Sequence, residues 1–291
     1  MTQSLAHRFR DLVNGPDLLL LPGAYDGVSA RLVARAGFDG IYFSGGLSAS
    51  SFPGVPDFGT RTLSEAVAQV GGAVMATGLP VLADGEAGFG SVLSVQRLVR
   101  ELEHVGAAGL HLEDQDVPRR CGHYEGKRLV PTDEHVGRIR AAVAARTDPN
   151  FLIVSRTDAV AVEGFDAAVA RSHRYVEAGA DVVFIEGMET EEQLRDTPGL
   201  FEVPTMVNLV EGGKTPFLSG PELQAMGYAL AIYPTSAYFA AVAAMRGVLE
   251  SLRRTGTSAT FEGPMATFLE WQQLTGVPEA MEILDTYGPE R

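Results

Sequence analysis

Residues 111–128 read His-Leu-Glu-Asp-Gln-Asp-Val-Pro-Arg-Arg-Cys-Gly-His-Tyr-Glu-Gly-Lys-Arg and hold the chain's one cysteine, Cys121, between arginines and a histidine. Cationic neighbours lower a thiol pKa, so Cys121 is expected to be partly thiolate near neutrality. Acidic residues stand directly before it. This clustering suits a thiol that gives or takes a proton beside an anion bound to a metal. Cys121 and His123 are the candidate catalytic groups of this segment. Gly122 and Gly126 give it the freedom of a mobile loop.

A second group of residues could hold that metal. Asp84, Glu86 and Glu113 form a carboxylate cluster, and Asp57 could reach it. Carboxylates so close repel unless a cation shares them. Ligands that are all oxygen favour Mg2+ or Mn2+. Gly45 and Gly46, after Ser44, leave backbone N–H groups free to hold a substrate carboxylate. Arg156 can bind a carboxylate at two points. Together these residues describe a site for a small polyanion bound through a metal, with an acid thiol above it.

The elements that must position these groups follow from short apolar runs. Eight candidate strands lie at 18–22, 40–44, 80–84, 109–113, 151–155, 181–186, 205–209 and 230–233. Helical patterns separate them, among them 63–76, 94–105, 133–145 and 165–178. Near-continuous apolar strands alternating with helices indicate a parallel sheet covered on both faces. Eight such units give an α/β fold, the (β/α)8 TIM barrel. A weak repeat supports this: Ala36-Gly-Phe-Asp-Gly-Ile-Tyr-Phe, Val105-Gly-Ala-Ala-Gly-Leu-His-Leu and Ala178-Gly-Ala-Asp-Val-Val-Phe-Ile, with Met226-Gly-Tyr-Ala as a looser copy. Each reads as a helix closed by glycine and then a strand. In such barrels, chemistry sits where strands end. The strand ends here carry Ser44, Asp84, Glu113, Arg156, Glu186, Asn208 and the run Pro234-Thr235-Ser236.

At 291 residues with 45% hydrophobic content, the chain can bury a large core. No linker divides it, so it reads as one barrel domain over 1–291, with a helical C-terminal extension from about 238 to 291. The surplus helices are expected to pack on another subunit. A net charge of −14 argues against nucleic acid and anionic membranes as partners. No apolar run is long enough to span a bilayer. One cysteine permits no internal disulfide, and the first fourteen residues lack a signal-type apolar stretch, so a cytoplasmic location is expected. The only lysines are Lys127 and Lys214.

These residues resemble the isocitrate lyase and phosphoenolpyruvate mutase superfamily, over roughly Leu18 to Tyr238. The most specific part is His111-Leu-Glu-Asp-Gln followed by Arg120-Cys-Gly-His123, which is similar to the lyases' gating-loop signature. The resemblance implies that Ser44-Gly45-Gly46 binds carboxylate. It puts Asp57, Asp84, Glu86 and Glu113 on a magnesium site, with Asp84 touching the ion directly. It puts Gly122, Arg156, Glu186, Asn208, Pro234, Thr235 and Ser236 around the substrate. It also implies a homotetramer with an exchanged C-terminal helix. Three positions depart from the pattern: Glu86 replaces a usual aspartate, Ala87 a frequent threonine, and Phe239 an arginine that anchors a further carboxylate in methylisocitrate lyases. The wording at 210–216 and 227–234 resembles a branch that holds carboxyphosphonoenolpyruvate phosphonomutase and lyases of substituted malates.

The expected reaction is Mg2+-dependent cleavage of a C–C bond in a 2-hydroxy di- or tricarboxylate. It gives an α-keto acid and a carboxylate, with Tyr42 as candidate base, Cys121 as acid, Mg2+ and Arg156 stabilising the developing charge, and His123 and Glu186 as further candidate catalytic residues. The alternatives are a phosphonomutase that forms a C–P bond, a keto-acid decarboxylase or hydrolase, and a non-catalytic barrel that binds keto acids.

Overall fold

A computed structural model describes residues 3–289 and folds by contact into two compact units, up to Ala237 and from Tyr238 onward. In the first unit the strands are β1 (Leu19–Ala24), β2 (Ile41–Phe43), β3 (Val81–Asp84), β4 (Gly109–Glu113), β5 (Leu152–Thr157), β6 (Val182–Ile185), β7 (Thr205–Asn208) and β8 (Leu230–Tyr233). They close in sequence order into an eight-stranded parallel barrel, with β1 paired to both β2 and β8. This is the (β/α)8 barrel expected from the sequence. The strands fall within two residues of the apolar runs that predict them, because a strand buried on both faces has little choice but to be apolar throughout.

The glycines of the repeat do what that pattern requires. Gly37, Gly106, Gly179 and Gly227 all have φ between +85° and +103°, where a side chain would be strained. Each ends a helix and turns the chain into the next strand. Inside the barrel, Leu21, Tyr42, Leu82, Val154, Phe184 and Ile232 pack with Phe9 and Val13 of the helix Leu5–Val13. Phe9 lies by Gly40 at the foot of β2, so this helix covers the end of the barrel away from the polar strand ends. Each fully buried side chain of this kind contributes roughly 1.5–3 kcal/mol. A short helix, Gly45–Ser51, follows β2 directly, where the sequence suggests only a glycine turn.

Register then fixes the site. Asp84 of β3 stands opposite His111 of β4, and Glu113 of β4 opposite Arg156 of β5.

The second unit contains most of the helix Ser236–Thr255, then Phe268–Thr275 and Val277–Tyr287. It exposes a run of large apolar side chains: Leu249, Phe268, Trp271, Ile283 and Leu284 are each at least half exposed. Among the described residues, no helix is long and apolar enough to cross a membrane.

Candidate active site

Asp84 closes β3 with both carboxylate oxygens engaged. Oδ1 accepts the Glu86 amide at 2.9 Å, and Oδ2 accepts the Gly45 amide at 3.2 Å and the Tyr42 hydroxyl at 3.3 Å. Tyr42 also lies 3.0 Å from His111 Nε2. A side chain on Gly45 would meet the Asp84 carboxylate and Arg61 at 2.7 Å, so only glycine lets the β2 turn come this close. Burial works against the Asp84 charge, but His111, Arg119 and Arg61 outweigh it and hold the carboxyl well below its usual range. Burial brings His111 down to about 4, so it is neutral at pH 7. For Tyr42, burial and then Asp84 raise the phenol well above 10. Tyr42 stands here as a hydrogen-bond donor to Asp84.

The carboxylates beside Asp84 do share a cation, as repulsion requires, and the cation is arginine. Arg119 bonds both oxygens of Glu113, one at 3.1 Å, and also bonds Asp57. Burial pushes Glu113 up to about 8, against the pull of Arg119 and Arg156. Further positive charge at this point would return it fully to the carboxylate. Among the described residues, no three His, Cys, Asp or Glu side chains converge into a ready cage. The oxygen-only donors fit a hard dication, which would share the carboxylates that Arg119 neutralises here. Glu86 departs from expectation, because its carboxylate turns to Arg61 at 3.0 Å instead of joining this group.

Arg156, on β5, is the centre of the other half. Asp158 grips it at two points, Nε at 3.0 Å and Nη2 at 3.1 Å. Glu113 lies 3.6 Å and Glu186 3.4 Å from its other edges, and its guanidinium rests 5.4 Å above the Phe184 ring. Asn208 donates to Glu186 Oε2 at 3.0 Å, while Glu186 Oε1 is buried without a hydrogen-bond partner. The amide of Lys214 donates to His123 Nδ1 at 3.2 Å. The other ring nitrogen, Nε2, lies 3.6 Å from Glu186 Oε1 and 3.5 Å from the Asn208 amide nitrogen.

The 115–129 loop folds over this group. Its base is tied by the bridge between Gln115 and Leu129, and the Gln115 side chain bonds both N–H and C=O of Arg120. Lys127, nearly fully buried, bonds the Gly122 carbonyl and stands 3.6 Å from Asp158. Lys214 bonds Glu125 from the far side. A side chain on Gly122 would meet Glu186 Cγ at 2.5 Å and Arg156 Nη2 at 2.6 Å, so the lid touches the arginine directly.

Cys121 overturns its expected pKa. Burial first, then Asp57, push the thiol up to about 11. Its cationic neighbours are engaged elsewhere: Arg119 on Glu113 and Asp57, Arg120 on the Glu125 carbonyl and the Phe58 ring. The group is thus a protonated thiol, which suits an acid better than a nucleophile.

Among the other expected residues, Ser44 caps the helix Gly45–Ser51, and Gly46 lies against the Asp57 carboxylate. Thr235 and Ser236 are held by Glu211, and Pro234 packs on Gly23 of β1. Burial tends to raise Glu211, yet the Ser236 and Thr235 hydroxyls outweigh it and lower its pKa. Arg61 and the structural role of Lys127 were not foreseen, and Asp158 was read only as a polar strand-end residue, not as the partner of Arg156. Asp158, two residues beyond Arg156 at a strand end, carried a readable signal; Arg61, alone in a long loop, carried none.

The family model described as phosphoenolpyruvate phosphomutase matches residues 9–253. The chain is 40% identical to 2,3-dimethylmalate lyase of Eubacterium barkeri over 286 residues, 98% of this chain and 99% of the relative. Among solved structures it is similar to oxaloacetate acetylhydrolase in complex with the inhibitor 3,3-difluorooxalacetate, with TM-score 0.94, 33% identity and coverage of 99% and 98%. It is also similar to phosphonopyruvate hydrolase in complex with oxalate and Mg2+, with TM-score 0.87, 28% identity and coverage of 98% and 99%.

Proposed function

We propose for this chain, which belongs to the isocitrate lyase and phosphoenolpyruvate mutase superfamily, the cleavage of a C–C bond in a 2-hydroxy dicarboxylate of the substituted-malate type. The observation that carries this reading is the lid: Gly122 seats on Arg156 and Glu186 and brings a thiol that burial keeps protonated. A lyase needs a proton delivered to carbon, whereas a phosphonomutase needs none.

The superfamily is metal-dependent, and Mg2+ is the ion proposed here, with Mn2+ as its substitute. Asp84 would hold it, with Asp57 and Glu113 acting through water, and it would supply positive charge against the substrate's carboxylate and hydroxyl oxygens. Arg156 binds the carboxylate next to the breaking bond. The unpartnered Oε1 of Glu186 accepts the hydroxyl proton. As the C2–C3 bond breaks, its electrons pass to C3 and its carboxylate, and C2 becomes the carbonyl of an α-keto acid. Cys121 then gives its proton to C3, and the thiolate is reprotonated from solvent once the lid opens. The Gly45–Gly46 turn, Asn208 and the Pro234-Thr235-Ser236 segment complete the substrate's surroundings. Phe239 in place of an arginine favours a dicarboxylate over a tricarboxylate. The residues from Tyr238 onward form a C-terminal extension exchanged within a homotetramer, which would cover Phe268, Trp271 and Ile283. A reducing compartment, the cytoplasm, suits the lone thiol.

The test is turnover of 2,3-dimethylmalate and 2-methylisocitrate in D2O. The expected product carboxylate carries one deuterium at the cleaved carbon. Cys121→Ser should lower the rate on the order of 10²–10⁴. The family's mutase name supports the second reading. A new C–P phosphorus resonance from a phosphoenolpyruvate-type substrate, with little dependence on Cys121, would decide for it. The likeness to oxaloacetate acetylhydrolase makes oxaloacetate the third substrate to try.

A further inference from the structure

Four residues after β3 share an unusual backbone. Glu86 and Phe89 have φ of 48° and 56°, and Gly88 and Gly90 have φ of 90° and 138°. Left-handed geometry at two residues that are not glycine persists only where surrounding contacts over-determine it. One buried side chain supplies those contacts. Arg61 donates from Nε to Glu86 Oε1 at 3.0 Å, from Nη2 to the Asp84 carbonyl at 2.9 Å and from Nη1 to Ser48 Oγ at 3.1 Å. Its guanidinium also stands 5.8 Å from the centre of the Phe89 ring.

The turn matters because of what the Glu86 backbone does. Its amide donates to Asp84 Oδ1 at 2.9 Å, and its carbonyl accepts the Glu113 amide at 3.0 Å. The Glu86 backbone therefore fixes the Asp84 carboxylate and the main chain of Glu113, two of the residues assigned to the metal, while its own carboxylate points away. We propose that Arg61 is a positioning residue for the metal site. It holds Glu86 as a handle, not a ligand, and through the Glu86 backbone sets the aim of the Asp84 carboxylate and the place of the Glu113 main chain. This rests on the metal reading given above. It also accounts for the longer acid at position 86: Glu86 supplies reach to Arg61.

The experiment measures Mn2+ binding by the loss of the free-ion electron paramagnetic resonance signal in the full-length protein. The proteins are wild type, Arg61→Met, Glu86→Met and the double variant. Each single substitution leaves a buried charge unpaired and frees the turn, and is expected to weaken Mn2+ binding by about 10–100-fold, as for other groups that orient ligands. The double variant lacks the same tether, so it should bind about as weakly as each single variant and no weaker. If Glu86 were itself a ligand and Arg61 an independent support, the two losses would add in the double variant, and the proposal falls. It falls equally if Arg61→Met binds Mn2+ as well as or better than wild type, the result for a cation that only opposes the metal. Where a single variant does not fold, Glu86→Gln, which keeps the oxygen that Arg61 holds, decides: Mn2+ binding within about threefold of wild type supports the handle, and a loss of about tenfold or more shows a ligand and overturns the proposal. Absence of stoichiometric Mn2+ binding in the wild type would sink the metal reading itself, and is seen in that arm alone.

Discussion

Gly122→Ala tests whether the lid acts by touching the arginine beneath it. The added methyl would lie 2.5 Å from Glu186 Cγ and 2.6 Å from Arg156 Nη2. Carbon contacts are comfortable at about 3.5 Å, so the lid must rise by roughly 1 Å. Arg156 cannot retreat readily, because Asp158, Glu113 and Glu186 hold it from three sides. A displacement of this size at a reacting group costs about 10²-fold in rate, or about 2.7 kcal/mol of barrier. Gly122 is not among the glycines with positive φ, so alanine meets no backbone strain and the thermal midpoint should stay near wild type. A raised lid also returns Cys121 toward water. Its pKa falls from about 11 toward an ordinary value near 8.5, and the thiolate fraction at pH 8 grows on the order of 10². The assays are kcat with the best substrate and the rate of iodoacetamide labelling. A variant with wild-type kcat and wild-type labelling would refute the contact as the basis of lid function.

In the wild type, thiol labelling should keep climbing to about pH 10 instead of levelling near 8.5, since burial lifts Cys121 to about 11. Because the folded pKa exceeds the unfolded one, this group costs stability only as pH rises from about 9 to 11, where the unfolded thiol ionises first; urea unfolding across that window reads it. Asp158→Asn removes the two-point grip on Arg156 and the counter-ion of Lys127, and should destabilise the fold by about 3–5 kcal/mol in urea titration, with loss of activity. Chelation should abolish turnover, with Mg2+ or Mn2+ restoring it; activity untouched by excess chelator would remove the metal from the mechanism.

The barrel was legible because each strand is apolar along its whole length and each helix end carries a glycine that its backbone needs, as at Gly106 and Gly179. Strand-end position alone found Asp84, Glu113, Arg156, Glu186 and Asn208, since register in a closed barrel brings consecutive strand ends together. What sequence could not supply was pairing and environment. Arg119 and Arg120 are adjacent to Cys121 in the chain, yet the fold directs one to Glu113 and Asp57 and the other to Glu125, so their charge does not reach the thiol. The same limit hid Arg61, 25 residues from Glu86. Cys121 was assigned a lowered pKa from its neighbours in sequence, and burial set it the other way.

The chain's two lysine side chains both belong to the lid's anchorage, Lys127 sealed beneath it and Lys214 partly open to solvent. Apart from the α-amine, amine-directed chemistry is therefore unusually local on this protein. A succinimidyl fluorophore reaches Lys214 well before Lys127, and its anisotropy reports lid motion without an engineered cysteine. Coupling to beads through lysine amines, harmless to enzymes whose lysines are scattered, would tether this one by its gate. Attachment through its abundant surface carboxylates leaves that gate free.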